Sequence, residues 1–447
     1  MSLHTRIQLS DHFTFKKLLR FAAAPIFMMI FTSVYGVVDG FFVSNFAGKT
    51  PFAAINLIMP FLMVLGSLGF MIGTGGTAII SMTLGRGNKE DANKYFSLLV
   101  YVTAIGGIVF SAAGELALPA ITRALKATED MYDYCIFYGR IILIAIPFFM
   151  LQNVFQAFFS TAEKPTLGFL ITLIAGCTNI LLDGILVGVF KTGVKGAAIA
   201  TAVSQFVGAA IPLIYFFSKN NSLLRLGRPK WNGKVLLRTC TNGLSEFVNN
   251  ISASVVSIIF NYQLLRLAGE NGVSAYGVIM YVTFIFFSIY VGYAIGTAPL
   301  IGFNYGANNE QELKNIFKKS MIVMGLFGIT LIALSLANAA PIAKLYVGYD
   351  AALYALTKRA FYIYSFCFLT VGYSIFGSSM FTAFNNGLIS AIISFLRTLV
   401  IQTGFVFVLP LIWGLNGVWF SMLFAEILAS LISISCFIAF RKRYKYA

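Results

Sequence analysis

The sequence predicts an all-α integral membrane protein with twelve transmembrane helices, arranged as two pseudo-symmetric six-helix bundles around a central cleft. Three observations lead there. The chain of 447 residues is 58% hydrophobic and only 11% charged, with mean hydropathy +0.83, a composition that needs a bilayer as its solvent. Twelve apolar stretches follow one another, each longer than the ~20 residues a helix needs to cross the hydrocarbon core. The second half also repeats the first at an offset near 221 residues.

The apolar stretches cover residues 18–46, 52–84, 94–120, 134–160, 166–190, 194–217, 239–267, 273–303, 315–338, 357–384, 388–412 and 415–440. The polar start, Met1 to Lys17, reads as a cytosolic tail or surface helix, and no cleavable signal peptide is apparent. Residues 218–238, with Lys219, Arg225, Arg228, Lys230, Lys234 and Arg238, form a polar linker. The organisation is therefore an N-terminal bundle (1–217), the linker, and a C-terminal bundle (239–447).

Twelve spans place both termini and the linker on one side. That side carries 21 of the 32 Lys and Arg, the opposite connectors carry nine, and Arg140 and Arg397 fall within spans. Positive charge gathers on the cytosolic side, so both ends are expected in the cytosol of a bacterial-type inner membrane. The net charge of +16 sits in short connectors rather than a basic domain, which argues against nucleic acid as a partner. Cys135, Cys177, Cys240, Cys367 and Cys436 have no metal-ligand spacing.

The repeat is visible in matched motifs. GFMIGT at Gly69 to Thr74 returns as GYAIGT at Gly292 to Thr297, and Gly193-Val-Lys-Gly196 returns as Gly414-Leu-Asn-Gly417. An even number of spans gives both halves the same orientation, so their axis runs along the membrane normal. The polar residues do not repeat. Asn179 corresponds to Val400, Asp183 to Gly404, and Thr201 to Met422.

Asn179 and Asp183 lie four apart on one face of the fifth helix. Asp39 in the first helix, Asp183 and Thr201 in the sixth all fall in the outer half of the N-terminal bundle by helical rise. Carboxylates are costly in a membrane and mark function by default, with a helix-packing hydrogen-bond cluster as the alternative. Arg397 and Glu426 match in depth and read as a structural ion pair. Pro25 should kink the first helix. His4 and His12, the only histidines, lie in the N-tail, and neither a phosphate-binding loop nor a nucleophile elbow is present.

The duplicated layout, the early VDGFFVS, and the NILLDxxLV…GVKGAAIATAVSQ stretch resemble the multidrug and toxic compound extrusion (MATE) transporters across residues 15–440. The SEF run at Ser245 to Phe247 is similar to their MepA-type branch. The resemblance implies a secondary active exporter, with no catalytic residues and no cofactor, that exchanges organic cations for H⁺ or Na⁺. It implies a cation-coupling site, possible as a Na⁺ site, at Asp39, Asn179, Asp183 and Thr201. The tenth helix lacks the acidic residue that serves a second site in some members. Tyr35, Asn153, Gln156, Glu246, Asn249 and Asn250 are candidates for the substrate cavity, although each amide can equally be satisfied between helices. Glu246 reads equally as a locally satisfied acid at a helix start. The expected partners are small organic cations and the lipid bilayer, and the expected state is a monomer. A lipid-linked oligosaccharide flippase and an integral-membrane enzyme are the alternatives.

Overall fold

The computed structural model describes residues 7–125 and 127–447; the expectation for His4, and the start of the predicted tail, lie outside them. Among the described residues the chain is helical, with no strand. In chain order the helices are α1 (Phe15–Phe42), α2 (Lys49–Gly85), α3 (Lys89–Ala124), α4 (Glu129–Thr161), α5 (Pro165–Val189) and α6 (Val194–Phe217). A continuous helical run, Gly233–Gly306, then spans 74 residues and breaks at Gly269, where φ is 61° and ψ is −151°. This run is two helices, α7 (233–268) and α8 (270–306). The rest are α9 (Glu310–Val347), α10 (Ala351–Ala383), α11 (Gly387–Trp413) and α12 (Leu415–Tyr444). Twelve membrane-length helices among the described residues match the twelve apolar stretches.

The duplication extends to backbone angles. Left-handed φ recurs at Gly48 and Gly269, Gly87 and Asn308, Glu163 and Asn385, and Gly193 and Gly414, each pair 221 or 222 residues apart. Gly193 and Gly414 share ψ −136°, a region closed to residues with a Cβ. Helix caps repeat as well: Asn88 Oδ1 accepts from Asp91 N at 3.0 Å, and its counterpart Asn309 Oδ1 accepts from Glu312 N at 3.1 Å.

Lipid-facing positions stay apolar, with Leu116, Leu345 and Leu411 each at least 80% exposed. This is the arrangement expected where the surrounding solvent is hydrocarbon. The two halves meet on the linker face through small residues. Gly75 of α2 packs on the backbone of Thr239 and Gly243 in α7, while Gly85 of α2 meets Phe303 O and Gly306 of α8 meets Met82 O. Such contacts let helix backbones approach closely.

α1 belongs to both halves. Its inner residues Leu18, Phe21 and Ala22 are buried in the core cluster of the C-terminal half, and Pro25 O and Ile26 rest against Gly292 of α8. Beyond Pro25 its outer half turns to α5, where the rings of Phe31 and Tyr35 cover Gly176.

Of the two expectations for the segment before α1, a tail or a surface helix, the helix is not formed over residues 7–14. Leu9 and Phe13 are fully buried. Leu9 N donates to Glu163 Oε1 at 2.8 Å, and Phe13 N donates to Glu312 Oε1 at 2.9 Å. His12 Nδ1 sits 2.7 Å from Glu312 Oε2. The strap forms because backbone amides outside a helix need acceptors, and the two glutamates supply them.

Candidate functional site

α5 is regular through Leu182 and widens into a π-turn over Asp183–Val189. Such bulges offset the helical register and are common at functional positions. Here Asp183 is the first residue of the bulge and is fully buried, with Asn179 one turn earlier at 2% exposure. Opposite them, Asp39 on α1 lies near both Asp183 and Asn179. Gly176 makes that approach possible by admitting the Phe31 and Tyr35 rings.

Two carboxylates offer each other only acceptors. Accordingly Asp39 Oδ1 and both carboxylate oxygens of Asp183 are buried without a hydrogen-bond partner; Asn179 Oδ1 and, on α6, Thr201 Oγ1 are in the same state. Buried acceptors left in this state are rare and expensive. The set is entirely oxygen, which suits a proton or a hard cation.

The chain matches known proteins over most of its length. The family model described as MatE fits residues 25–185 and again 247–408. The chain belongs to the MatE family. It is 24% identical over 422 residues to the Multidrug export protein MepA of Staphylococcus saprophyticus, covering 94% of this chain and 92% of that one. The protein of the same name from Staphylococcus aureus is 26% identical over 432 residues, with the same coverage. A structure titled as the outward-facing conformation of a multidrug resistance MATE family transporter superposes with TM-score 0.93 at 22% identity, covering both chains fully. A MOP superfamily transporter from Pyrococcus furiosus superposes with TM-score 0.88 at 22% identity, covering 99% of each chain. The protein is therefore a multi-pass membrane protein of the MATE transporter family and fold, not an enzyme.

In this MATE chain two residues escaped sequence reasoning, one near the N-terminal carboxylates and one on α6. Tyr138 of α4 is buried and lies beside both Asp39 and Asp183. Among 21 tyrosines no local pattern singles it out. Gln205 lies one turn beyond Thr201 on α6, and its Oε1 is also buried and unpartnered; the Thr201–Gln205 spacing of four was the available signal.

The cavity candidates separate. Tyr35 lies next to Asp39. Asn153 is buried in α4 with its Nδ2 unpartnered. Gln156 is buried too, and its Nε2 donates to Thr172 Oγ1 at 3.3 Å, an interhelical bond within the N-terminal half. Asn250 Nδ2 donates to Glu246 O at 2.8 Å along α7, whereas Asn249 Oδ1 has no partner. Glu246 is half-buried on α7, with Arg397 a nearby positive charge that is itself paired with Glu426.

The C-terminal half has its own buried charge. Arg397 sits in a π-turn of α11, Leu396–Ile401. Its Nε donates to both oxygens of the fully buried Glu426 at 3.0 Å. Ser374 Oγ and Gln402 Nε2 add bonds to Glu426 at 3.2 and 3.3 Å. The ion pair expected from matching depth is formed. Toward the face opposite the linker, Arg140 Nε lies 3.7 Å from Glu115 Oε2.

Proposed function

We propose that this protein exports amphipathic organic cations in exchange for H⁺ or Na⁺ by alternating access. The observation that carries the proposal is the pairing of half-buried Asp39 with fully buried Asp183, with their unpartnered oxygens. Two carboxylates at ~4 Å repel by about 4 kcal/mol at an effective dielectric near 20, so a shared proton or a cation is needed to hold them together. Asn179 and Thr201 would complete an oxygen shell for Na⁺, which here is cargo rather than a resident cofactor.

The coupling acts through α1. An ion between Asp39 and Asp183 fastens the outer half of α1 to α5, while its inner half stays docked on α8. An organic cation attracted by the same carboxylates competes with that ion. Each ligand then disfavours the other, the reciprocity that antiport requires. The small-residue seam supports an arrangement closed on the linker face; the Lys and Arg bias favours a cytosolic position for that face and both termini, and the monomer is the proposed working unit. Arg140 and Arg397 are both engaged by carboxylates, so neither is spare for the pyrophosphate of a lipid-linked sugar. This favours the exporter over the flippase.

The test is ethidium transport in proteoliposomes under an imposed pH gradient and, separately, a Na⁺ gradient. Export driven by one of them, and lost in Asp39→Asn and Asp183→Asn, is the expected result. Gradient-independent movement, or transport of a lipid pyrophosphate instead, would overturn the proposal. A cysteine at Asn232, in a background without the native cysteines, should resist impermeant reagent in intact cells.

A further inference from the structure

A second site lies at the linker face, away from the carboxylates. A cavity of about 790 Å³ opens where the two halves meet. Three arginines line it from three separate elements: Arg86 after α2, Arg238 of α7 and Arg443 of α12. Among the described residues none of the three has a carboxylate within ion-pair distance, although seven such pairs occur elsewhere. The one acid in the lining, Asp91, is already occupied, with Oδ2 accepting from Asn88 Nδ2 at 2.6 Å and Oδ1 3.8 Å from Lys94 Nζ.

The floor is built rather than incidental. Tyr444 is buried, stacks on Phe384 with centroids 4.6 Å apart and planes at 5°, and accepts a bond from Asn386 Nδ2 at 2.8 Å. Arg443 lies 5.6 Å over the Tyr444 ring, which fixes it at the rim.

The positive-inside tendency explains why the linker face is basic. It does not explain why three guanidinium groups from distant parts of the chain converge on one cleft without counter-charges. Guanidinium groups recognise phosphate through paired N–H donors and hold it better than a single ammonium does.

We propose that this cavity binds a phosphate-bearing anion, either a soluble phosphate ester or the headgroup of an anionic lipid of the cytosolic leaflet. Arg86 comes from the N-terminal half, whereas Arg238 and Arg443 come from the C-terminal half. A bound anion therefore bridges the two halves across the seam and stabilises them in contact. Only this last consequence rests on the alternating-access reading; binding does not.

The test uses the purified full chain in neutral detergent, with inorganic pyrophosphate as the soluble probe and chloride holding ionic strength constant. Nanodiscs of phosphatidylcholine, with and without phosphatidylglycerol, form the lipid arm. Wild type should show a raised Tm with pyrophosphate, with phosphatidylglycerol, or with both, and the responding arm identifies the source. Arg238→Gln, and separately Arg86→Gln, should weaken the half-saturating concentration about tenfold, as expected for losing one charge-assisted contact. All three arginines are exposed, so the variants should fold. Absence of any shift in wild type, or equal shifts in wild type and both variants, would overturn the proposal. These readouts use no gradient, so their outcome is independent of whether transport is coupled to H⁺ or Na⁺.

Discussion

The two halves share a backbone and divide over what they do with buried charge. In the C-terminal half, Glu426 is surrounded by Arg397, Ser374 and Gln402, and both of its oxygens are satisfied. In the N-terminal half, Asp183 is as deeply buried and both of its oxygens lack a partner. One site carries its cation covalently attached to the chain; on the proposed reading the other takes one from outside. The difference teaches that the two halves share their helices, while a few side chains decide whether buried charge is satisfied within the chain. A buried ion pair with every lone pair used is static. A pair of acceptors facing each other depends on whatever occupies the space between them.

The largest expected effect tests the open half. Asp39→Asn or Asp183→Asn should abolish gradient-driven transport while leaving Tm equal or higher, because each removes a buried acceptor that lacked a donor. Normal coupling in both variants, measured in proteoliposomes, would erase the distinction between the halves.

The next test addresses the closed half. Arg397→Gln leaves Glu426 buried and unpaired and should cost about 3–5 kcal/mol, read as a fall in Tm. Replacing both, with Arg397→Met and Glu426→Gln, should recover most of that loss and retain coupled transport. If the double variant is stable but uncoupled, the C-terminal pair takes part in transport after all.

Smaller substitutions in each half sharpen the comparison further. A methyl at Gly176 would press into the Phe31 and Tyr35 rings, so Gly176→Ala should cost about 1–3 kcal/mol and loosen α1 from α5. Tyr138→Phe keeps the ring but removes the hydroxyl beside the carboxylates, and should raise the half-saturating ion concentration by the few-fold equivalent of about 1 kcal/mol. Gly404, the counterpart of Asp183, has nothing within 4 Å of an added methyl. Gly404→Ala should therefore change Tm by less than about 1 kcal/mol equivalent.

Much of this contrast was legible in the sequence, for identifiable reasons. Asp39, Asn179, Asp183 and Thr201 stood out because polar residues are conspicuous in apolar helices and their depth follows from a fixed rise per residue. The loss of the acidic pattern at Val400 and Gly404 was visible once the repeat was aligned. The location of Arg397 and Glu426 could be read in the same way. What could not be read was satisfaction. Whether Gln156 bonds Thr172, or whether Ser374 and Gln402 close the shell around Glu426, depends on side-chain geometry between helices far apart in sequence. Tyr138 looked like any other aromatic residue of an apolar helix. The strap was misjudged because its glutamate acceptors lie 154 and 299 residues away, beyond any local pattern.

The division of α1 between two cores has a consequence for the order in which the molecule is made. Ala22, Pro25 and Ile26 are synthesised early, yet the surface that covers them includes Gly292 and Gly296 of α8. At ~5–20 residues per second, the interval before those glycines appear is on the order of tens of seconds. For that time the first helix sits in the membrane with its inner end uncovered. The N-terminal half cannot reach its final form while the ribosome is still on the first repeat, and an early release of the chain would leave a bundle whose leading helix has lost half of its seat.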